Sequence, residues 1–170
     1  ALAISFATYA PDDPSFIYGN TGVEIKNFFG IYGSSTSDFF LQSFGLISFL
    51  LLANLTFWGY SLLIKKEISK LLLKLFFVVV YLILGSTFIY LTFNSSFWLI
   101  DNGNSGFVGE ISYNFINNLI PWISNKYSQS IIFFLTIVFF ILSSGLNIKN
   151  ILFKMFKIIL LIFKKKEKIE

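Results

Sequence analysis

The sequence predicts an all-α integral membrane protein, a bundle of four transmembrane helices with the first one truncated and with short amphipathic helices beside it. Apolar residues make up 55% of the 170 residues and charged residues only 13%, and the mean hydropathy is +0.74. This composition leaves too little polar surface to cover a soluble globule of this size. Long uncharged stretches and a one-sided distribution of lysine complete the argument. Lipid is therefore the expected solvent for most of the chain.

Three uncharged stretches have the length of a membrane-spanning helix. They cover residues 39–64, 75–93 and 131–148, each near the ~20 residues that cross a hydrocarbon core. Residues 1–9 are also apolar but too few to cross, so we interpret them as the end of a first helix that starts upstream. These four segments predict a membrane domain over residues 1–148.

Lysine placement predicts the orientation. All 13 basic residues are lysine; four lie between the second and third stretches and seven follow the fourth, whereas the connectors at 10–38 and 94–130 hold one each. Because lysine is concentrated on the cytoplasmic side of membrane proteins, these two connectors are expected to be periplasmic and the C-terminus cytoplasmic. Trp58 at the inward end, and Trp98 and Trp122 at the outward end, are expected in interfacial aromatic belts.

Two amphipathic helices are expected outside the spans. An apolar stripe in the second connector opposes several asparagines and predicts a short helix on the membrane surface with Glu110 in its first turn; its members are Ile111, Phe115, Ile116, Leu119, Ile120 and Ile123. The turn-rich segments at 94–96 and 101–106 are expected to fold back against the first connector. Residues 149–170 predict a second, cytoplasmic interfacial helix followed by the start of a basic linker.

The first connector carries an ordered set of turn-forming residues. Two prolines frame two carboxylates and stop any helix, so the chain is expected to leave the membrane in a fixed turn. The set comprises Tyr9, Pro11, Asp13, Pro14, Ser15 and Phe16, followed by Asn27, Gly30, Gly33, Asp38 and, at the next apolar stretch, Gly45. Gly106 and Gly109 form a second spaced pair in the other connector. The glycines are expected to permit tight turns or close helix approach.

No catalytic, cofactor-binding or metal-ligating residue is expected. Cysteine and histidine are both absent, which removes thiol nucleophiles and histidine acid–base chemistry. Asp12, Asp13 and Asp38 could be read as an acid–base group or a calcium site. A proline-framed turn in which one aspartate accepts backbone N–H groups is favoured over both. The two glycine pairs lack the Lys and Ser/Thr of a phosphate-binding loop.

Two polar side chains inside the second span indicate helix contacts. Gln42 shares one arc with small and aromatic residues, namely Gly45, Phe49, Ala53, Thr56 and Tyr60. Asn54, near mid-span, points elsewhere, and an amide in hydrocarbon needs a partner. Another helix of the bundle is favoured as that partner, and a second subunit is the alternative.

The ordered motif resembles the N-terminal four-helix membrane domain of FtsK/SpoIIIE-type bacterial DNA translocases. The resemblance rests on Tyr-x-Pro-x-Asp-Pro-Ser-Phe from Tyr9, on Asn-x-x-Gly-x-x-Gly from Asn27, on Asp38 and Phe44-Gly45, and more weakly on Gly106-x-x-Gly109. It departs from the family at Ser34, Ser37 and Ser105, where small residues replace other small residues. Backbone approach is thereby preserved.

The resemblance implies a membrane anchor and oligomerisation domain of a septal DNA translocase that acts in cell division and chromosome partition. Such a domain lies in the bacterial inner membrane and tethers a cytoplasmic ATP-driven DNA motor that this chain does not contain. ATP and Mg²⁺ are expected only for that motor, and DNA contact only through it. The expected partners of the chain itself are membrane lipids, further copies of itself and divisome membrane proteins. The reading frame is expected to extend beyond both ends of the sequence.

Two other classes of membrane protein are alternatives. A small transporter would be expected to carry charges well inside a span, and this chain has none there. A holin-like pore-former fits the small size and the basic tail. It does not explain two elaborate outward connectors.

Overall fold

The computed structural model describes residues 1–16, 24–96, 98–99 and 101–146. Within these ranges the chain is helical and forms no strand, which confirms the all-α fold class. Six α-helices and one 3₁₀ turn follow in order: α1 Leu2–Ala7, α2 Gly30–Phe44, the 3₁₀ turn Gly45–Ile47, α3 Ser48–Lys65, α4 Leu71–Phe93, α5 Gly106–Leu119 and α6 Lys126–Ser144. The interfacial helix expected after residue 148 lies outside the described residues.

Three helical segments are long and apolar enough to cross a membrane. They are Gly30–Lys65, which includes α2, the 3₁₀ turn and α3, and the helices α4 and α6. α4 and α6 pack antiparallel, because Phe88 meets Phe133 with ring centroids 5.0 Å apart while Phe77 meets Phe139 at 5.7 Å. Tyr81, Leu82 and Ile89 of α4 form the centre of the main core. Many large apolar side chains remain exposed on the outside, as expected where lipid replaces water.

The second span is not the single straight helix that the sequence predicts. α2 starts at Gly30, nine residues before the predicted boundary, and ends at Phe44, because the next residue, Gly45, has φ 60° and ψ −142° and interrupts the helix. The chain resumes as α3 after the 3₁₀ turn. The continuous arc expected from Gln42 to Tyr60 is therefore wrong, since Gln42 belongs to α2 and the members from Phe49 to Tyr60 belong to α3, with the break at Gly45 between them. Asp38 is tolerated inside α2 because its carboxylate is buried against a hydrogen-bond donor, Tyr9.

The other helix boundaries differ from the predictions for local reasons. α6 runs from Lys126 to Ser144 rather than from 131 to 148. The Asn125 side chain accepts the N–H of Tyr127 at its start, and Gly145 ends it with φ +72°. α5 begins at Gly106, so Glu110 is its fifth residue and not part of the first turn.

The two ends of the bundle differ in chemistry. We call the end that holds Lys65, Lys66, Lys70 and Lys74 the lysine end. The opposite end, which holds residues 8–16, 24–38, 94–96, 98–99 and 101–125, is the connector end. Trp122 and Tyr127 are exposed there, 73% and 80%. Trp58 is instead buried in the core cluster with its indole N–H bonded inside the bundle, so its predicted place in an interfacial belt is wrong.

Candidate functional site: polar networks at the connector end

Asp13 closes the first connector on itself. Its Oδ1 accepts the backbone N–H of Lys26 at 2.9 Å and its Oδ2 that of Asn27 at 2.8 Å. The buried carboxylate of Asp13 thus accepts two backbone N–H groups. It ties the proline-framed turn to residues that follow 13 and 14 positions later in the chain. Asp12 is different, because its ion pair with Lys26 (3.5 Å) is exposed to solvent and contributes little.

Asn27 joins this turn to α1 and α2. Its Nδ2 donates to the carbonyl oxygens of Ser5 (2.9 Å) and Thr8 (3.3 Å). Ser5 lies in the last turn of α1 and Thr8 directly follows the helix, a region where the helix itself supplies no donors for the carbonyl groups. The same nitrogen lies 3.4 Å from Ser37 Oγ of α2, and Oδ1 accepts the N–H of Phe29 at 3.2 Å. The side chain thus occupies the junction between two helices.

Gly33 and Pro14 complete that junction. A Cβ atom at Gly33 would collide with Oδ1 of Asn27, so the six-residue spacing of this Asn and Gly reflects direct contact. The carbonyl of buried Pro14 accepts a hydrogen bond of 2.6 Å from Ser34 Oγ on α2. Gly30 opens α2 with φ +60° and has free space around it. Ser15 is buried, whereas Pro11 and Phe16 are exposed.

A second network, the Tyr9 network, comprises Tyr9, Asp38, Gln42, Asp101 and Asn102. The Tyr9 hydroxyl donates to Asp38 Oδ1 (3.3 Å) and accepts from Gln42 Nε2 (3.0 Å). Gln42 Nε2 also lies 3.5 Å from Asp101 Oδ2, and Gln42 Oε1 accepts from Asn102 Nδ2 at 2.8 Å. The network therefore links the end of α1, the middle of α2 and the second connector. The second connector thus folds back on α2 and Tyr9, where the sequence predicted contact with residues 10–38.

The environment of the network keeps the Tyr9 phenol protonated. Burial raises the pKa of Tyr9 well above its usual value, and the nearby carboxylates of Asp38 and Asp101 add to this effect. A protonated phenol can donate to Asp38 while accepting from Gln42. The sequence singled out Tyr9, Asp38 and Gln42, but gave Asp101 and Asn102 only a role in a turn. Their contacts with Gln42, about 60 residues earlier, left no sequence signal.

Three glycines allow backbones to cross at the connector end. The N–H of Leu46, just after Gly45, donates to the carbonyl of Asn104 at 2.9 Å, and a Cβ at Gly45 would collide with that carbonyl. A Cβ at Gly106 would collide with the carbonyl of Ser43, and one at Gly109 would lie 2.7 Å from the Ser86 carbonyl oxygen of α4. The pair Gly106 and Gly109 therefore seats α5 against α2 and α4.

Asn54 finds its contacts inside the bundle. Its Nδ2 lies 3.1 Å from Ser143 Oγ on α6 and 3.5 Å from the Tyr81 hydroxyl on α4. Trp58, one turn further along α3, donates its indole N–H to the carbonyl of Ser143 at 2.8 Å. Polar contacts of this kind hold α3, α4 and α6 in one relative position. Asn54 Oδ1 has no hydrogen-bond partner among the described residues.

The two sets of contacts position backbone and helices rather than a reacting group. Asp13 and Asp38 belong to separate networks. Across the described part of the chain, no cluster of three or more acidic side chains is placed to hold a metal ion. The contacts at the connector end join the first connector to α1 and α2, and the second connector to α2.

The helices, the three candidate spans and the ordered connector end define an α-helical membrane domain. A family model described as the 4TM region of DNA translocase FtsK/SpoIIIE matches residues 1–156. The chain belongs to this family, and it is an inner-membrane protein. The resemblance found in the ordered motif is thereby confirmed.

Two curated relatives carry the name DNA translocase FtsK. The relative from Rickettsia bellii (strain RML369-C) is 30% identical over 141 residues, which cover 79% of this chain and 17% of the relative. The relative from Rickettsia prowazekii (strain Madrid E) is 33% identical over 120 residues, which cover 71% of this chain and 16% of the relative. The chain thus spans about a sixth of the length of these relatives. No solved structure matches the chain.

Proposed function

We propose that this chain anchors a septal DNA translocase in the inner membrane and assembles its subunits, so that a cytoplasmic ATP-driven motor acts on DNA at the division site. The observation that carries the proposal is the family match over nearly the whole chain. The curated relatives named DNA translocase FtsK are about six times longer than the part of them that aligns here. That difference leaves room for a motor, with its ATP, Mg²⁺ and DNA sites, beyond the anchor.

The charge distribution supports an orientation with the motor on the lysine side. Four lysines cluster between α3 and α4, and seven more follow residue 148. The connectors at 10–38 and 94–130 carry six acidic residues against two lysines, Lys26 and Lys126; the acidic residues are Asp12, Asp13, Glu24, Asp38, Asp101 and Glu110. Under the positive-inside rule, the lysine end faces the cytoplasm and the connector end faces the periplasm.

The ordered connectors support a second role, contact with division proteins in or above the membrane. The Asp13, Asn27 and Tyr9 contacts hold the connectors in one arrangement. Apolar side chains stand exposed on this fixed base, among them Phe16, Phe28 and Tyr32. Exposed aromatic groups on a preorganised surface are suited to protein recognition, because little ordering entropy is lost on binding.

The test separates anchoring from septal targeting. A fluorescent protein is fused to the full-length translocase and to a version in which residues 1–148 are replaced by an unrelated four-span anchor. We expect both proteins in the membrane fraction, and only the native one at the septum and in cross-linked oligomers. Equal septal localisation of the two would remove the targeting role. Permeabilisation of cells by the expressed chain, without septal localisation, would favour a pore-former instead.

A further inference from the structure

α5 is amphipathic, but its exposed apolar strip is not the side that packs on the bundle. The helix packs on the bundle through Gly106, Gly109 and Tyr113. The ring of Tyr113 lies 4.9 Å from that of Tyr90 on α4. The exposed strip consists of Phe107, Ile111, Phe115 and Leu119, which are 44%, 62%, 66% and 68% exposed. These four residues follow each other at intervals of four and form one continuous ridge along the helix. The bundle leaves this ridge uncovered among the described residues.

The contacts of α5 on α4 show how deep the ridge lies. Gly109 meets the carbonyl of Ser86, Tyr113 meets Tyr90, and Ile116 lines a cavity with Leu84. These α4 residues precede the end of the helix at Phe93 by three to nine positions. At 1.5 Å per residue, α5 crosses α4 at about 5–14 Å below the connector end of that helix. Helices bound at a membrane interface bury their apolar face to a similar depth, about 5–10 Å.

Neighbouring groups define the remaining sides of α5. Glu110 lines a polar cavity of about 360 Å³ with Asn94, Asp101 and Asn102 of the connector, so this side of the helix faces the connector end. A second cavity, of about 240 Å³, lies between the C-terminal half of α5, α4 and α6; its lining is Leu84, Ile116, Ile120, Ile123, Ser128, Ile131 and Ile132. This lining is almost entirely apolar and continues the lipid-facing surface of the two spans. The exposed Trp122 ring, just past the end of α5, is suited to the headgroup level.

We propose that α5 is inserted sideways into the membrane leaflet at the connector end, with its ridge and the neighbouring cavity in contact with lipid acyl chains. The helix contains no lysine or arginine, so apolar burial drives the insertion and attraction to anionic headgroups does not. The depth on α4, the apolar cavity and the polar side that faces the connector all favour acyl chains over an aqueous partner. The domain would then hold its periplasmic face at a fixed depth in the membrane.

The experiment exploits the absence of cysteine from the chain. Single-cysteine variants I111C and F115C report on the ridge, and the matched controls E110C and N114C report on exposed polar positions of the same helix. Each variant of the full chain is labelled with a small fluorophore and reconstituted in nanodiscs. Quenching is measured with phosphatidylcholine brominated on its acyl chains and, separately, with aqueous iodide.

We expect bromolipid to quench the two ridge labels several-fold more than the two controls, with the reverse order for iodide. Replacing part of the phosphatidylcholine with phosphatidylglycerol should leave this pattern unchanged. Equal iodide quenching at Ile111→Cys and Asn114→Cys would overturn the proposal, and so would efficient disulfide formation between copies through Ile111→Cys at high lipid-to-protein ratio. The second result would assign the ridge to another subunit. Circular dichroism of every variant verifies that the helical content is retained.

Discussion

The substitution Gly45→Ala tests the crossing of α3 and the second connector. Gly45 adopts φ 60° and ψ −142°, a region that residues with a Cβ rarely occupy. An added Cβ would also collide with the carbonyl of Asn104. That carbonyl accepts the N–H of Leu46 at 2.9 Å, so the methyl group forces apart two backbones that are directly hydrogen-bonded.

Two costs add in this variant. Holding a non-glycine residue in a sparsely populated backbone region costs about 1–3 kcal/mol. Inserting a methyl group into a packed contact costs about another 1–3 kcal/mol. The free energy of unfolding should therefore fall by about 2–6 kcal/mol, the sum of the backbone strain and the overpacking.

Two other glycines provide matched controls. Gly30 has φ +60° but open space, so Gly30→Ala should lose only about 1–2 kcal/mol. Gly59 lies within α3 with neither positive φ nor close neighbours, and Gly59→Ala should be neutral or stabilise by up to about 1 kcal/mol. The assay is unfolding in mixed micelles of increasing dodecyl sulfate fraction, followed by circular dichroism. If Gly45→Ala unfolds at the same denaturant fraction as Gly59→Ala, the crossing does not contribute as argued.

Three further predictions use the same unfolding assay. Asn27→Ala should lower the free energy of unfolding by at least about 2 kcal/mol, because several buried carbonyl and N–H groups lose their partner. The control is the exposed Asn118→Ala, which should change this free energy by no more than about 0.5 kcal/mol. Equal stability of the two variants would contradict the role of Asn27. The free energy of unfolding of Asn54→Leu should stay within about 1 kcal/mol of that of the native chain, since the substitution removes a side-chain carbonyl without a described partner. A much larger loss would contradict this and show that the polar contacts of Asn54 contribute most of the stability at this position. Tyr9 has a raised pKa, so its contribution to the free energy of unfolding is intact below pH about 10 and is lost as the pH rises through the folded-state pKa. Tyr9→Phe should abolish this loss of stability at alkaline pH. An unchanged alkaline profile would exclude Tyr9 as its source.

The spans and their chemistry could be predicted because they depend on local composition. An uncharged stretch of about 20 residues has few alternatives to a membrane helix, and the stretches found in the sequence correspond to α3, α4 and α6. The proline-framed turn was also predictable, since Pro14 restricts the backbone wherever it occurs. An aspartate that accepts backbone N–H groups was also predicted, but the groups that Asp13 contacts belong to Lys26 and Asn27, 13 and 14 residues away, which local chemistry does not identify.

The break at Gly45 could not be predicted from local sequence. A glycine inside an apolar stretch is compatible with a continuous helix, and here the deciding partner, Asn104, lies 59 positions further along the chain. Trp58 was misplaced for a similar reason, because its indole partner is the carbonyl of Ser143 on another helix. The aromatic-belt rule considers only distance from the helix end. Long-range backbone contacts therefore account for most of the differences between prediction and structure.

The orientation of α5 shows a third kind of limit. Its apolar stripe was recognised, but hydrophobic periodicity does not say which side of a helix meets the protein. Gly106 and Gly109 provide the packing side because they lack side chains, which leaves Ile111 and Phe115 exposed. In a membrane protein both sides of a helix can be apolar, so small residues are the better indicator of protein contact.

The most direct test of the proposed anchor is its orientation in living cells. Paired reporters, alkaline phosphatase and a fluorescent protein that folds only in the cytoplasm, are fused after Glu67 at the lysine end and after Asn104 at the connector end. The account predicts fluorescence without phosphatase activity after Glu67, and phosphatase activity without fluorescence after Asn104. The opposite pattern would place the lysine end in the periplasm. A chain in that orientation could not hold a DNA motor in the cytoplasm, and the proposed function would be wrong.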